Sequence, residues 1–198
     1  MSKDESFILT WQLLNRLFSG PLESAFIREI LQLPVDHMVA AQELAVLMAV
    51  LEDWDKDPQI QKAAHLTFQR LFVGPGAPPA PPWGSVYLTA DNTIMGPSTL
   101  AVRKEFQRLG LSLKTEGWEP DDHFAHCCAF LSLLSQEDDP TPAQEFLKDH
   151  FLPWAPRFLE LMAETCKDPV YEAIAGYARA VIDLASENLE TEPVKLYL

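Results

Sequence analysis

Five prolines fall within GPGAPPAPPWGSVYL, residues 74–88, and Trp83 follows the last of them directly. Each proline ring fixes φ and removes a backbone donor, so no helix passes through this run. Apolar residues recur three and four apart on both sides of it, and no segment sustains strand alternation. The stretch therefore reads as a stiff extended connector between helices.

Before the connector, residues 6–18 place Phe7, Trp11, Leu14 and Phe18 on one stripe, and residues 37–52 repeat the pattern with Leu44, Leu47, Met48 and Leu51. Asp57 followed by Pro58 reads as an N-cap with proline at the first helical position. That helix sets Phe68, Leu71 and Phe72 on one face before Gly74 ends it. After the connector, Val86, Tyr87 and Leu88 read as a short extended piece, and Gly96-Pro97-Ser98 resets the chain for a helix over 98–109 that Gly110 closes. The next helix is expected from Pro120, with Phe124, Cys127, Cys128, Leu131 and Leu134 as its apolar face. Thr141, Pro142 and Gln144 resemble a capping box opening a helix towards His150, and Pro153 and Pro156 bracket the start that leads into Phe158, Leu159 and Met162. Asp168-Pro169 opens the last long helix, with Val170, Ile174, Tyr177, Val181 and Leu184 as its buried stripe. The expected fold is all-α: a multi-helix bundle with a proline-rich strap between helices, in a single domain over residues 1–198.

A net charge of −14 with only 15 Lys and Arg argues against nucleic acid, whose phosphates require clustered cations, and favours basic partners. The start MSKDESFILTWQLLNRLF has no basic n-region and no small-residue cleavage site, and the longest apolar run, LAVLMAVL from Leu44 to Leu51, is far short of the roughly 20 residues that cross a bilayer. A cytoplasmic protein without membrane insertion is expected. Three cysteines, two of them adjacent at Cys127 and Cys128, make a poor disulfide framework and agree with that compartment.

The densest polar cluster is GWEPDDHFAHCC, where Glu116, Glu119, Asp121 and Asp122 gather at a helix start. Negative charge there is favoured by the macrodipole, so capping alone accounts for it. With Phe124, Cys127, Cys128 and Leu131 as the buried stripe, a step of about 100° per residue puts Asp122 nearly opposite and His123 on the flank, both open to a groove. A metal-dependent helical enzyme using Asp122, His123 and Cys127 is one alternative, because His123 and Cys127 stand four apart on a helix. Cys127 and Cys128 lie on the apolar stripe, however, and no second Cys or His pair at zinc spacing occurs. Nucleophilic catalysis needs an exposed thiolate and meets the same objection. Pro78 to Pro81 matches P-x-x-P, which leaves a Pro-motif scaffold protein as a further alternative.

Three blocks, FQRLFVGPGAPPAPPWGSVYL from Phe68, EPDDHFA from Glu119 and FLKDHFLPWAPRFLE from Phe146, together resemble the TorD/DmsD family of redox-enzyme maturation chaperones, most closely its DmsD type. They keep their order and cover roughly residues 64–180. The resemblance implies an all-helical, non-catalytic chaperone without a cofactor. It implies as partner the twin-arginine leader of a molybdenum-containing oxidoreductase, held until cofactor insertion and before export. Weak guanine nucleotide binding, attributed to some members, has no phosphate loop to rest on here. Carried over position by position, the leader-binding set is Phe68, Leu71, Trp83, Gly84, Tyr87, Gly96, Glu119, Pro120, Asp122, His123 and Phe124. Gly76 departs from the pattern, since the DmsD type can carry Trp there.

A twin-arginine leader offers two guanidiniums and then an apolar stretch. Guanidinium pairs with carboxylate in a planar fork, which makes Glu119 and Asp122 the expected arginine partners. The apolar stretch is expected against Leu71, Trp83, Tyr87 and Phe124, with Trp83 close to His123.

Overall fold

The computed structural model describes residues 3–112, 119–187, 189–190 and 194–198. Among these, ten α-helices and no strand are found. They are α1 (Lys3–Ser19), α2 (Ser24–Ile30), α3 (Ala41–Lys56), α4 (Pro58–Phe68), α5 (Gly84–Leu88), α6 (Pro97–Arg108), α7 (Phe124–Leu134), α8 (Thr141–Phe146), α9 (Ala155–Thr165) and α10 (Pro169–Ser186). Single π turns, Gln69–Val73 and Leu147–Phe151, extend α4 and α8.

Aspartate followed by proline starts helices as the spacing predicts. The Asp57 carboxylate accepts from the Gln59 N–H, and that of Asp168 accepts from Val170 and Tyr171. α8 lacks its predicted capping box: its N-cap is Pro140, without a side-chain cap, and the Asp139 carboxylate accepts the Thr141 N–H at 2.9 Å. Residues 84–88 form a helix rather than an extended piece, since the prolines stop before Gly84 and leave every amide of α5 free to donate. On α10, Leu184 is 43% exposed and Ile182 takes its place in the core.

α1 lies along α7, and α10 packs against α3 and α9. One contiguous cluster of buried apolar side chains runs from Trp11 to Ile182. Its centre is aromatic: the Phe124 ring sits 4.5 Å from Phe18 and 5.0 Å from both Phe151 and Phe158. α7 is thus gripped at its first residue, and again at Phe130 by Phe106 and Phe146, which fixes the turn before it.

Residues 194–198 return to α5. The Tyr197 N–H donates to the Tyr87 carbonyl at 3.0 Å, and Arg157 Nε donates to the Leu198 carbonyl at 3.4 Å. Because α5 ends at Leu88, the Tyr87 carbonyl has no donor within its own helix, and Tyr197 supplies one.

Candidate functional site

The strap is joined to the turn before α7 by an isolated antiparallel bridge between Trp83 and His123. Pro82, which has a carbonyl but no N–H, accepts from Phe124 at 2.8 Å, and Gly84, the first non-aromatic donor past the prolines, gives its N–H to the Asp122 carbonyl at 3.1 Å. The Trp83 and His123 rings meet edge to face at 6.2 Å. The expected proximity of strap and acidic helix start is therefore present.

α7 begins at Phe124, four residues later than the pattern predicts, with His123 as its N-cap accepting the Ala125 N–H on Nδ1 at 3.1 Å. That displacement changes the place of Asp122. The sequence expects it open to a groove, yet it is completely buried. Its carboxylate accepts from the Ser85 N–H at 2.6 Å, Thr99 Oγ1 at 2.7 Å and Ser98 Oγ at 2.9 Å. Neither α5 nor α6 has a side-chain cap of its own, so one carboxylate serves the first turn of both. Asp122 clamps these helices to α7 and is not free to meet an arginine.

Around this clamp the other charges are graded in exposure. Asp121 is engaged by Arg103 of α6, whose Nε and Nη2 donate to Oδ2 at 2.8 and 2.6 Å. Glu119, with 41% of its side chain exposed, accepts the Trp83 indole N–H at 2.5 Å and stands 3.9 Å from His123 Nε2. Burial, with the neighbouring His126 secondary, pushes the His123 imidazole down to about 3, so the ring is neutral at physiological pH. Pro120 is buried, its carbonyl accepting the His123 N–H at 3.1 Å and lying 3.0 Å from His126 Nδ1. Glu116 lies outside the described residues.

The apolar anchors expected at the surface lie beneath it. Leu71, Tyr87 and Phe124 are wholly buried and Phe68 nearly so. The Tyr87 hydroxyl donates to the Pro81 carbonyl at 2.8 Å while its ring stacks on Trp154 at 5.7 Å. Gly84 touches Trp154 so closely that a Cβ would sit 2.7 Å from the indole Nε1, and at Gly96 a Cβ would meet the Thr89 methyl at 2.9 Å. Trp83 alone of this apolar set reaches an exposed group, through its indole N–H on Glu119. The glycine at position 76, where the DmsD type can carry Trp, has φ of 98°, a backbone that disfavours any side chain.

The chemistry of the alternatives fits these surroundings poorly. Cys127 and Cys128 are fully buried, and burial holds both thiols well above their usual range, the reverse of a reactive thiolate. Within P-x-x-P, Pro81 is buried and its carbonyl is occupied by Tyr87, so the motif cannot be presented to an aromatic groove.

Comparison with known proteins decides the family. Residues 34–160 match the family model described as the nitrate reductase delta subunit. The chain is 30% identical over 188 residues to the Tat proofreading chaperone DmsD of Salmonella typhi, spanning 90% of this chain and 88% of that one. The chain belongs to the TorD/DmsD family. The chaperone protein TorD of a Psychrobacter species is also 30% identical, over 146 residues and 66% of this chain. A solved structure assigned as a redox enzyme maturation protein from Archaeoglobus fulgidus shares the fold, with a TM-score of 0.56 at 17% identity over 94% of each chain. Like these TorD/DmsD relatives, the chain is a redox-enzyme maturation chaperone rather than an enzyme.

Sequence reasoning missed Ser85, Ser98, Thr99, Arg103 and Trp154, which hold the site together. The Ser-Thr pair after Gly96-Pro97 carries a legible helix-start signal, but nothing in its spacing names Asp122 as its partner.

Proposed function

We propose that this chaperone binds the twin-arginine leader of a molybdenum-containing oxidoreductase precursor in the cytoplasm, a client of the dimethyl sulfoxide reductase type, and retains it until its cofactor is inserted. The observation that carries the reading is the exposed Glu119 carboxylate, oriented by the indole N–H of the nearly buried Trp83. Glu119 offers its remaining lone pairs to a leader guanidinium, and the Trp83 ring lies alongside. Pro120, Asp122 and His123 hold this pair in register through the bridge and the helix clamp. Phe68, Leu71, Gly84, Tyr87, Gly96 and Phe124 act from below, by fixing the strap and α5 rather than by touching the leader. The continuous apolar cluster supports reading residues 1–198 as one domain. No helix among the described residues is long and apolar enough to cross a membrane.

A free leader is disordered, and ordering it costs about 2–5 kcal/mol, so association is moderate and reversible, as hand-over of a client requires. Glu119→Gln is the test. The amide keeps an acceptor for Trp83 but loses the charge, and calorimetric titration with a synthetic twin-arginine leader should show affinity weakened by about three- to tenfold, with melting unchanged. Equal affinity of variant and parent would remove Glu119 from the interface.

A further inference from the structure

The face around Trp83 offers an apolar ligand little floor, because Leu71, Tyr87 and Phe124 are closed off beneath it. A different part of the molecule offers one. A cavity of about 400 Å³ opens between the start of α1, the end of α7 and α8. Its floor includes Trp11, Leu131 and Leu147, and its rim carries Glu5, Glu137 and Asp138. None of the described residues that line it is basic. The volume is that of a site for a small ligand or a few side chains.

We propose that this groove seats the apolar stretch of the client's leader, an inference that rests on the leader-binding function proposed above. Two observations on the molecule select that occupant. The floor is apolar, and the acidic rim attracts a peptide of net positive charge while repelling an acidic one. Recognition is thereby divided between the two ends of α7, with guanidinium at Glu119 beside the N-cap His123 and aliphatic side chains beside Leu131 and Ser135. The 11 residues of α7 rise about 16 Å, a span that an extended peptide covers in about five residues. The proposal requires one leader to engage both ends, Glu119 through its guanidinium and the groove through its apolar stretch.

Ala143 of α8 lines the groove, and Ala143→Trp fills it. The experiment titrates the full chain with two synthetic peptides, a twin-arginine leader and the same leader with its apolar stretch replaced by Ser and Gly. The parent protein should bind the first about tenfold or more tightly than the second. Ala143→Trp should bring the first peptide close to the affinity of the second and leave the second unchanged. Asp138→Lys, an exposed substitution, should weaken the first peptide several-fold at low salt and less at high salt. If Ala143→Trp melts normally and still binds the first peptide as the parent does, the groove is not the seat, while leader binding itself stands. If Ala143→Trp fails to fold, Asp138→Lys decides, and unchanged affinity at low salt overturns the groove. A parent protein that binds neither peptide refutes both the groove and the leader reading.

Discussion

Asp122→Ala should unfold this protein more readily rather than disarm it. The substitution removes the acceptor of three donors at once: the Ser85 N–H at 2.6 Å, Thr99 Oγ1 at 2.7 Å and Ser98 Oγ at 2.9 Å. Ser85 and Thr99 are buried, and a buried donor left unpaired costs about 1–3 kcal/mol. Ser98 is only half-buried and finds water at little cost. The small void left by the carboxylate adds to the total, which comes to about 3–5 kcal/mol. For a domain of this length each kcal/mol lowers the melting temperature by about 2–4 °C, so the loss should be about 6–20 °C. Asp122→Asn keeps the shape and one acceptor oxygen but turns an amide towards a donor, and should fall between the two. Thermal unfolding followed by circular dichroism at neutral pH measures all three proteins. A melting temperature within about 2 °C of the parent, accompanied by lost leader binding, would refute the clamp and return Asp122 to the ligand.

His123 should leave a signature in the acid limb of stability. Its folded value of about 3 lies below the ordinary 6.5, so the unfolded chain binds the extra proton. The contribution is complete above about pH 6.5 and is lost as pH falls towards 3, at no more than about 1.4 kcal/mol per pH unit. His123→Asn, which preserves an N-cap acceptor, should flatten the urea-unfolding free energy between pH 6 and pH 4 relative to the parent, and parallel profiles would contradict it. Gly84→Ala drives a Cβ to 2.7 Å from the Trp154 indole nitrogen, so destabilisation of about 1–3 kcal/mol is expected in the same titration at neutral pH.

The parts of this fold that are legible in sequence are those with local causes. Asp57 and Asp168 cap helices whose first amides are two and three residues away, and the apolar stripe of α7 recurs at helical spacing, so both can be read without knowing the neighbours. The start of α7 cannot be read in this way. Residues 120–123 have helix-compatible composition, but the bridge to Trp83, 40 positions earlier, holds His123 at ψ of 139° and delays the helix. The same distant contact buries Asp122, which composition alone counts as a surface charge. Likewise Tyr87 and Phe124 carry no mark that separates a groove-lining ring from a core ring. Only Trp154 stacked on one and Phe18 against the other decide that.

The bond from Tyr197 to the Tyr87 carbonyl bears on how the molecule is made. During synthesis the partner of the Tyr87 carbonyl is added more than a hundred residues after α5, and until then water can serve that carbonyl. Asp122 arrives midway and fastens the beginning of α5, and Tyr197 arrives last and fastens its end. The two fastenings of α5 are thus encoded far apart, and a chain stopped before residue 197 carries the residue that holds the start of α5 but lacks the one that holds its end.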